Sequence, residues 1–144
     1  MHSKLNRASK ALSNGEPARA KRLLEQILRS EPENVEALWM IARLLERRGE
    51  IDSWLETLEK LCKLLPQELY VTDELARAYA KTSQLDKAIT LYREFLEKNP
   101  ESENALYNLA NYLGRKGQHV EAIDIFSSLL GRDIDHAEEV HLNL

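Results

Sequence analysis

Leu106-Tyr107-Asn108-Leu109-Ala110, followed by Leu113, Gly117, Glu121-Ala122-Ile123 and Phe126, is the stretch on which the fold turns. Leu106, Leu109, Ala110 and Leu113 recur at helical spacing, Gly117 stops the run, and Ala122 and Phe126 open a second one. Stepping back by 34 residues from each position finds its counterpart. Ala110 leads to Ala76, Ala42 and Ala8, and Gly117 leads to Ser83, Gly49 and Gly15. Ala122 leads to Ala88, Trp54 and Ala20, Phe126 to Tyr92, Leu58 and Leu24, and Leu129 to Phe95, Leu61 and Ile27. Pro32, Pro66 and Pro100 keep the same step.

Each column has a physical reason. Proline lacks a backbone N–H, so it follows a helix end and opens the turn to the next. Glycine at the middle of the repeat permits the positive φ that closes the first helix. Alanine removes bulk where two antiparallel helices meet, and the large residues behind it fill the gap to the next repeat. In the third repeat Leu75, Ala76, Tyr79 and Ala80 share one helical face, and Ala88, Leu91, Tyr92, Phe95 and Leu96 share another. The spacing predicts helices over 3–13, 17–30, 34–48, 51–65, 68–81, 85–98, 102–116 and 119–130, a ninth beginning near 136, and no strand. Pro17 falls at a first helical position, and Ser102 is placed to cap the helix through Leu106.

This pattern resembles the tetratricopeptide repeat family over the whole chain. Repeat four carries the resemblance most fully, with the residues quoted first. Repeat three follows with Leu75-Ala76, Tyr79, Leu85-Asp86-Lys87-Ala88-Ile89, Tyr92 and Pro100. The resemblance implies an all-α, right-handed α-solenoid of about four helix-turn-helix repeats at 1–34, 35–68, 69–102 and 103–136, with a partial fifth at 137–144, in one domain. It also implies that the first helices line a concave groove that holds an extended peptide.

Carried onto this frame, repeat one offers His2, Leu5 and Ser9 to the groove, and repeat two offers Glu36, Trp39, Arg43 and Arg47. Repeat three offers Tyr70, Asp73, Arg77 and Lys81, and repeat four offers Asn104, Tyr107, Asn108, Asn111 and Arg115. Arginine forks pair with carboxylates, and aromatic anchors give contact area at low entropic cost. The expected partner is therefore a protein or peptide segment with acidic and apolar side chains. The alternative for these residues is a solvated face, with Trp39 and Tyr107 half-buried against neighbouring helices. A two-carboxylate clamp for chaperone tails is not matched: its positions fall on Leu5, Ser9, Met40, Tyr70 and Glu74, or one repeat later on Trp39, Arg43, Glu74, Asn104 and Asn108.

Three places depart from the pattern. Trp54 stands where the other repeats have Ala, which predicts a core Trp with a locally wider or rotated helix pair. Lys4 and Arg7 replace apolar residues in repeat one, as suits a polar terminal cap. Ile134 replaces the fourth proline, and the run from His136 to Leu144 starts another first helix, with Val140 and Leu144 one turn apart. We expect from this an N-terminal piece of a longer repeat protein; self-association through the C-terminal end is a separate reading of the same run. A second expectation is a non-catalytic targeting or dimerising arm of a longer enzyme, such as one with a sulfotransferase or glycosyltransferase domain.

Other classes find little support. Residues 1–48 carry 10 basic against 6 acidic side chains, a balance of +4, and residues 49–144 carry 10 against 18, a balance of −8. The net −4 argues against a nucleic-acid partner. No apolar run reaches the length of a membrane span and the N-terminus shows no signal-peptide core, so the reading is cytoplasmic, with no membrane partner. Cys62 is the single cysteine, beside Leu61, Leu64 and Leu65, and reads as a buried small hydrophobe. His2, His119, His136 and His141 lack metal-site spacing; Asp133, Asp135 and His136 form the one conceivable metal loop. Without a strand there is no phosphate loop. No cofactor, metal or catalytic residue is expected.

Overall fold

The computed structural model describes the backbone of residues 3–142 and the side chains of residues 3–131. Among the described residues there are eight helices: α1 (Ser3–Ser13), α2 (Pro17–Ser30), α3 (Val35–Arg48), α4 (Ile51–Leu64), α5 (Leu69–Lys81), α6 (Leu85–Lys98), α7 (Glu103–Lys116) and α8 (His119–Leu142). The first seven match the expected spans to within one residue at either end.

The 34-residue period is written into the hydrogen bonds. The amides of Glu16, Glu50, Gln84 and Gln118 donate to the carbonyls of Ala11, Leu45, Tyr79 and Leu113 at 2.8, 3.0, 2.7 and 2.9 Å. The residue before each of those amides has positive φ: Gly15 at 73°, Gly49 at 71°, Ser83 at 61° and Gly117 at 94°. Each bond closes a first helix with the left-handed cap that satisfies carbonyls otherwise lacking a partner. At the other end of the repeat, the amides of Glu31, Leu65 and Asn99 donate to Ile27, Leu61 and Phe95, and a proline follows each. Starts are equally local. Asn34 Oδ1 accepts from the Ala37 amide at 3.0 Å, Ser102 Oγ accepts from Ala105 at 3.3 Å, and Pro17 sits in the first turn of α2.

The chain divides into two compact units, Met1–Val71 and Thr72–Leu144. In the first unit α1, α2, α3 and α4 pack in sequence. Its core takes Ala8, Ala20 and Ala42 at the close approaches and Leu24, Ile27, Leu58 and Leu61 behind them. Trp54 is 1% exposed and is a core residue. Lys4 and Arg7 are exposed on α1, while Leu5 turns inward and is buried, which removes it from any groove. Cys62 is half-buried, not fully buried as its apolar neighbours suggested, because its position on α4 lies beside the buried stripe of Leu58 and Leu61.

In the second unit α6 packs on α7 and α7 on α8. Ala76, Ala88, Ala110 and Ala122 are buried at the helix contacts, with Tyr92, Phe95, Leu109 and Leu113 around them. Phe126 and Leu129, the last members of their columns, are only half-buried.

One expectation fails here. Instead of ending near 130 and restarting near 136, α8 runs unbroken from His119 to Leu142. Where the earlier repeats carry Pro32, Pro66 and Pro100, this one carries Ile134, which has an amide to donate and no ring to clash with the preceding turn. The side chains proposed for a metal loop (Asp133, Asp135, His136) and for self-association (Val140, Leu144), like His2, lie outside the described residues.

Candidate partner-binding face

In the first unit the candidate residues stand on α3 and at the start of α5. Trp39 is half-buried and stacks on Tyr70, with ring centroids 5.8 Å apart and planes at 25°. The stack holds Tyr70 in place while leaving it 53% exposed. Arg43 and Arg47, one and two turns beyond Trp39, are exposed.

In the second unit α7 presents Asn104, Asn108, Asn111 and Arg115 at spacings of three or four residues along one helical face, with Tyr107 three residues after Asn104 and four before Asn111 at its side. Of these, Asn104, Asn111 and Arg115 are exposed, and Tyr107 is 53% exposed. Tyr107 meets the edge of Phe126 from α8 at 5.6 Å and 70°, so one side of its ring is fixed and the other faces solvent. On α5, Lys81 is exposed, and Arg77 is half-exposed with its Nη2 donating to Glu74 Oε2 at 2.9 Å.

Asp73 and Asn108 have a different role from their neighbours. Asp73 Oδ1 accepts two hydrogen bonds, from the Tyr92 hydroxyl at 2.7 Å and from Asn108 Nδ2 at 2.9 Å. One carboxylate oxygen thus ties α5, α6 and α7 together. Burial, and then the hydrogen bond to Asp73, push the Tyr92 phenol far above its ordinary range. Tyr112 stacks on Tyr92 at 5.6 Å and 26°, and the Arg115 guanidinium lies 5.2 Å from the Tyr112 ring centroid. Burial raises the Tyr112 phenol too, against the opposing charge of Arg115. The sequence had brought forward Asp73, Asn108 and Arg115; the structure adds Tyr92 and Tyr112 as the ring platform beneath them.

On the outer side, Arg93 of α6 forks onto Glu121 of α8 at 2.9 and 3.1 Å. That bond holds the Glu121 carboxyl below its usual range and the Arg93 guanidinium above its own. The exposed groups of the face can donate hydrogen bonds to carboxylates and amides and offer ring faces to apolar side chains. Among the described residues no group of three His, Cys, Asp or Glu side chains could hold a metal ion, and no helix is long and apolar enough to cross a membrane.

A family model described as Tetratricopeptide repeat matches residues 5–68 and 74–137. The general transcriptional corepressor trfA of Dictyostelium discoideum is 27% identical over 125 residues, which covers 85% of this chain and 9% of that protein. This chain therefore corresponds to a small part of that relative. Among solved structures, a crystal structure of MamA superposes with a TM-score of 0.72 at 19% identity, covering 95% of this chain and 80% of MamA. A tetratricopeptide repeat protein from Parabacteroides merdae gives 0.75 at 20% identity, covering 90% of this chain and 52% of its own. These two likenesses speak for the fold alone. With both halves matched and the four left-handed turns in one 34-residue register, the chain belongs to the tetratricopeptide repeat family and has its all-α repeat-solenoid fold.

Proposed function

We propose that this chain is a non-catalytic scaffold that binds an extended segment of a partner protein on the faces of its first helices, and that the segment carries acidic and apolar side chains. Tetratricopeptide repeats bind protein partners, and the chain is an interaction scaffold in that general sense. The observation that carries the finer reading is the presentation of Tyr107. A large ring is held on one side by Phe126 and left half-exposed on the other, beside the face of α7 that carries Asn104, Asn111 and Arg115. Tyr70, held by Trp39 on the helix face of the first unit, repeats the arrangement. Pre-positioned aromatic side chains lose little entropy on binding, and Arg and Asn supply donors for carboxylates and main-chain amides.

Asp73 and Asn108 support this face without belonging to its contact surface, since each already has an intramolecular partner. Arg77 must exchange its Glu74 pair for a ligand carboxylate, so binding should weaken as salt is added. The test is selection from a peptide library, repeated with Arg43 and Arg77 both changed to Ala. Hits enriched in Asp, Glu and large apolar residues, and weakened by the double change, are the expected result. Hits that all survive it would remove this face as the site.

A further inference from the structure

α2 carries its charges against its own local preferences. Arg19, Arg22, Gln26 and Arg29 follow at intervals of three, four and three residues, which sets them along one face, and all four are exposed. Arg19 stands in the first turn and Arg22 in the second, near the positive end of the helix macrodipole, where acidic side chains are favoured. The other second helices follow that preference. α4, α6 and α8 have Asp52, Asp86 and Glu121 in their first turns, and α2 has no acid in its own. Compensation within the chain is slight. Arg19 Nη1 lies 3.4 Å from Glu16 Oε2 with both side chains largely in water, a kind of pair that contributes little. Glu25, the one acid within α2, lies 3.9 Å from Lys21. Among the described residues neither Arg22 nor Arg29 has a carboxylate partner. A helix that breaks a local rule with no compensating contact is the pattern of a functional face.

The face is open because of its place in the repeat. The same columns are exposed on α4, at Glu56, Lys60 and Lys63, and on α6, at Thr90, Glu94 and Glu97, helices with others before and after them. Only in repeat one are these columns free of acids. We infer that this face of α2 is a docking surface for an acidic helix of a partner protein. Charge complementarity sets the sign, and arginine forks grip carboxylates in pairs of hydrogen bonds. The spacing sets the form. Carboxylates three and four residues apart on a partner helix keep the same intervals as Arg19, Arg22, Gln26 and Arg29, over a stripe about 15 Å long. A long polyanion such as nucleic acid fits worse, because residues 49–144 carry a balance of −8 and repel whatever extends past the first repeat. The surface lies on a second helix and the peptide-binding reading concerns first helices, so neither depends on the other.

The probe is a fluorescent, Ala-rich helical peptide of about 18 residues with Glu at intervals of three and four, long enough to hold a helix in water. Titrated with the full chain and followed by fluorescence anisotropy, it should bind, and bind less well as salt is added. Arg19→Glu with Arg22→Glu should weaken binding about tenfold or more. These changes restore the acids that Glu121 and Glu56 place in those columns, so the melting temperature should hold or rise. A charge-matched control on α6, Lys87→Glu with Lys98→Glu, should bind as the parent does. A peptide that does not bind, or that binds the α2 variant equally, overturns the proposal. So does a control that weakens binding as much, which would reduce the effect to net charge, or a lowered melting temperature in the α2 variant, which would make the arginines structural. Tighter binding of a single-stranded oligonucleotide, lost in the same variant, would assign the face to nucleic acid and overturn it too.

Discussion

The Tyr92 hydroxyl donates to Asp73 Oδ1 at 2.7 Å, joining α6 to α5, and Asn108 on α7 donates to the same oxygen. A buried phenol needs such a partner, and a carboxylate that is half out of water gains from two donors. Tyr92→Phe removes one of them without opening a cavity. A hydrogen bond to a charged group contributes about 1.5–3 kcal/mol, so the variant should lose stability near the lower end of that range. Urea unfolding would show it as a lower midpoint, and an unchanged midpoint would count the bond as idle.

Alkaline pH should expose the same bond. The Tyr92 phenol in the folded chain sits above its ordinary value of 10.0, so the native state holds a proton that the unfolded chain releases. The sign follows by linkage: the stabilisation is complete below the unfolded value and declines as pH rises beyond it. Unfolding free energy measured between neutral pH and pH values above 10.0 should therefore fall, and it should fall less in Tyr92→Phe. Parallel curves for the two proteins would contradict the assignment.

Trp54 fills a column that is Ala in the other three repeats, and it is 1% exposed. Its surroundings in the first unit are shaped around an indole, so Trp54→Ala leaves a void instead of restoring the family pattern. Large-to-small changes of this kind cost about 3–5 kcal/mol. Thermal unfolding reads the loss directly; a melting temperature within error of the parent would mean that the neighbours collapse into the space.

The four central turns offer a matched pair of changes. Ser83 is the one non-glycine among the described residues with positive φ, at 61°, in a column otherwise held by glycine. Ser83→Gly relieves left-handed strain of about 1–2 kcal/mol, partly offset by greater freedom of the unfolded chain, so a small net gain is expected. Gly117→Ala, at φ 94°, should lose about 1 kcal/mol or more. Opposite shifts in denaturation midpoint are the result to look for, and shifts of the same sign would refute the turn argument.

Tyr107→Ala separates binding from folding. The ring is half-exposed and touches Phe126 on one edge, so stability should change by roughly 1 kcal/mol or less. Affinity for a selected peptide should fall about tenfold or more, as expected for an aromatic anchor. Calorimetric titration of both proteins with the same peptide checks it; equal affinities would remove Tyr107 from the contact surface.

Most of the fold was legible because its signals are local and repeated. A proline that cannot continue a helix, a glycine that can turn left and an alanine that admits a neighbour each act within a few residues. The columns Ala8–Ala42–Ala76–Ala110 and Gly15–Gly49–Ser83–Gly117 therefore fixed the helix ends. The last helix was misread because one negative signal, the missing proline at Ile134, was outweighed by an expectation of period. The candidate face was legible by position and only in part by role. Tyr92 read as one more large core residue in the column of Leu24 and Leu58, and Asp73 as a groove residue in the column of Trp39 and Tyr107. Only in space do these two departures explain each other, the added hydroxyl on one helix meeting the added carboxylate on the next. Tyr112 carried no signal beyond being a ring at a position held by Ala78 and Leu44.

The three-helix bond at Asp73 bears on how the second unit comes apart. Repeat arrays usually fray one helix at a time from an end, because each element holds only its neighbours. Here α6 and α7 both donate to one acceptor on α5, so each of the three loses a hydrogen bond when another peels away. Amide protons along α5, α6 and α7 should therefore exchange with deuterium at a common opening free energy, as a single cooperative block.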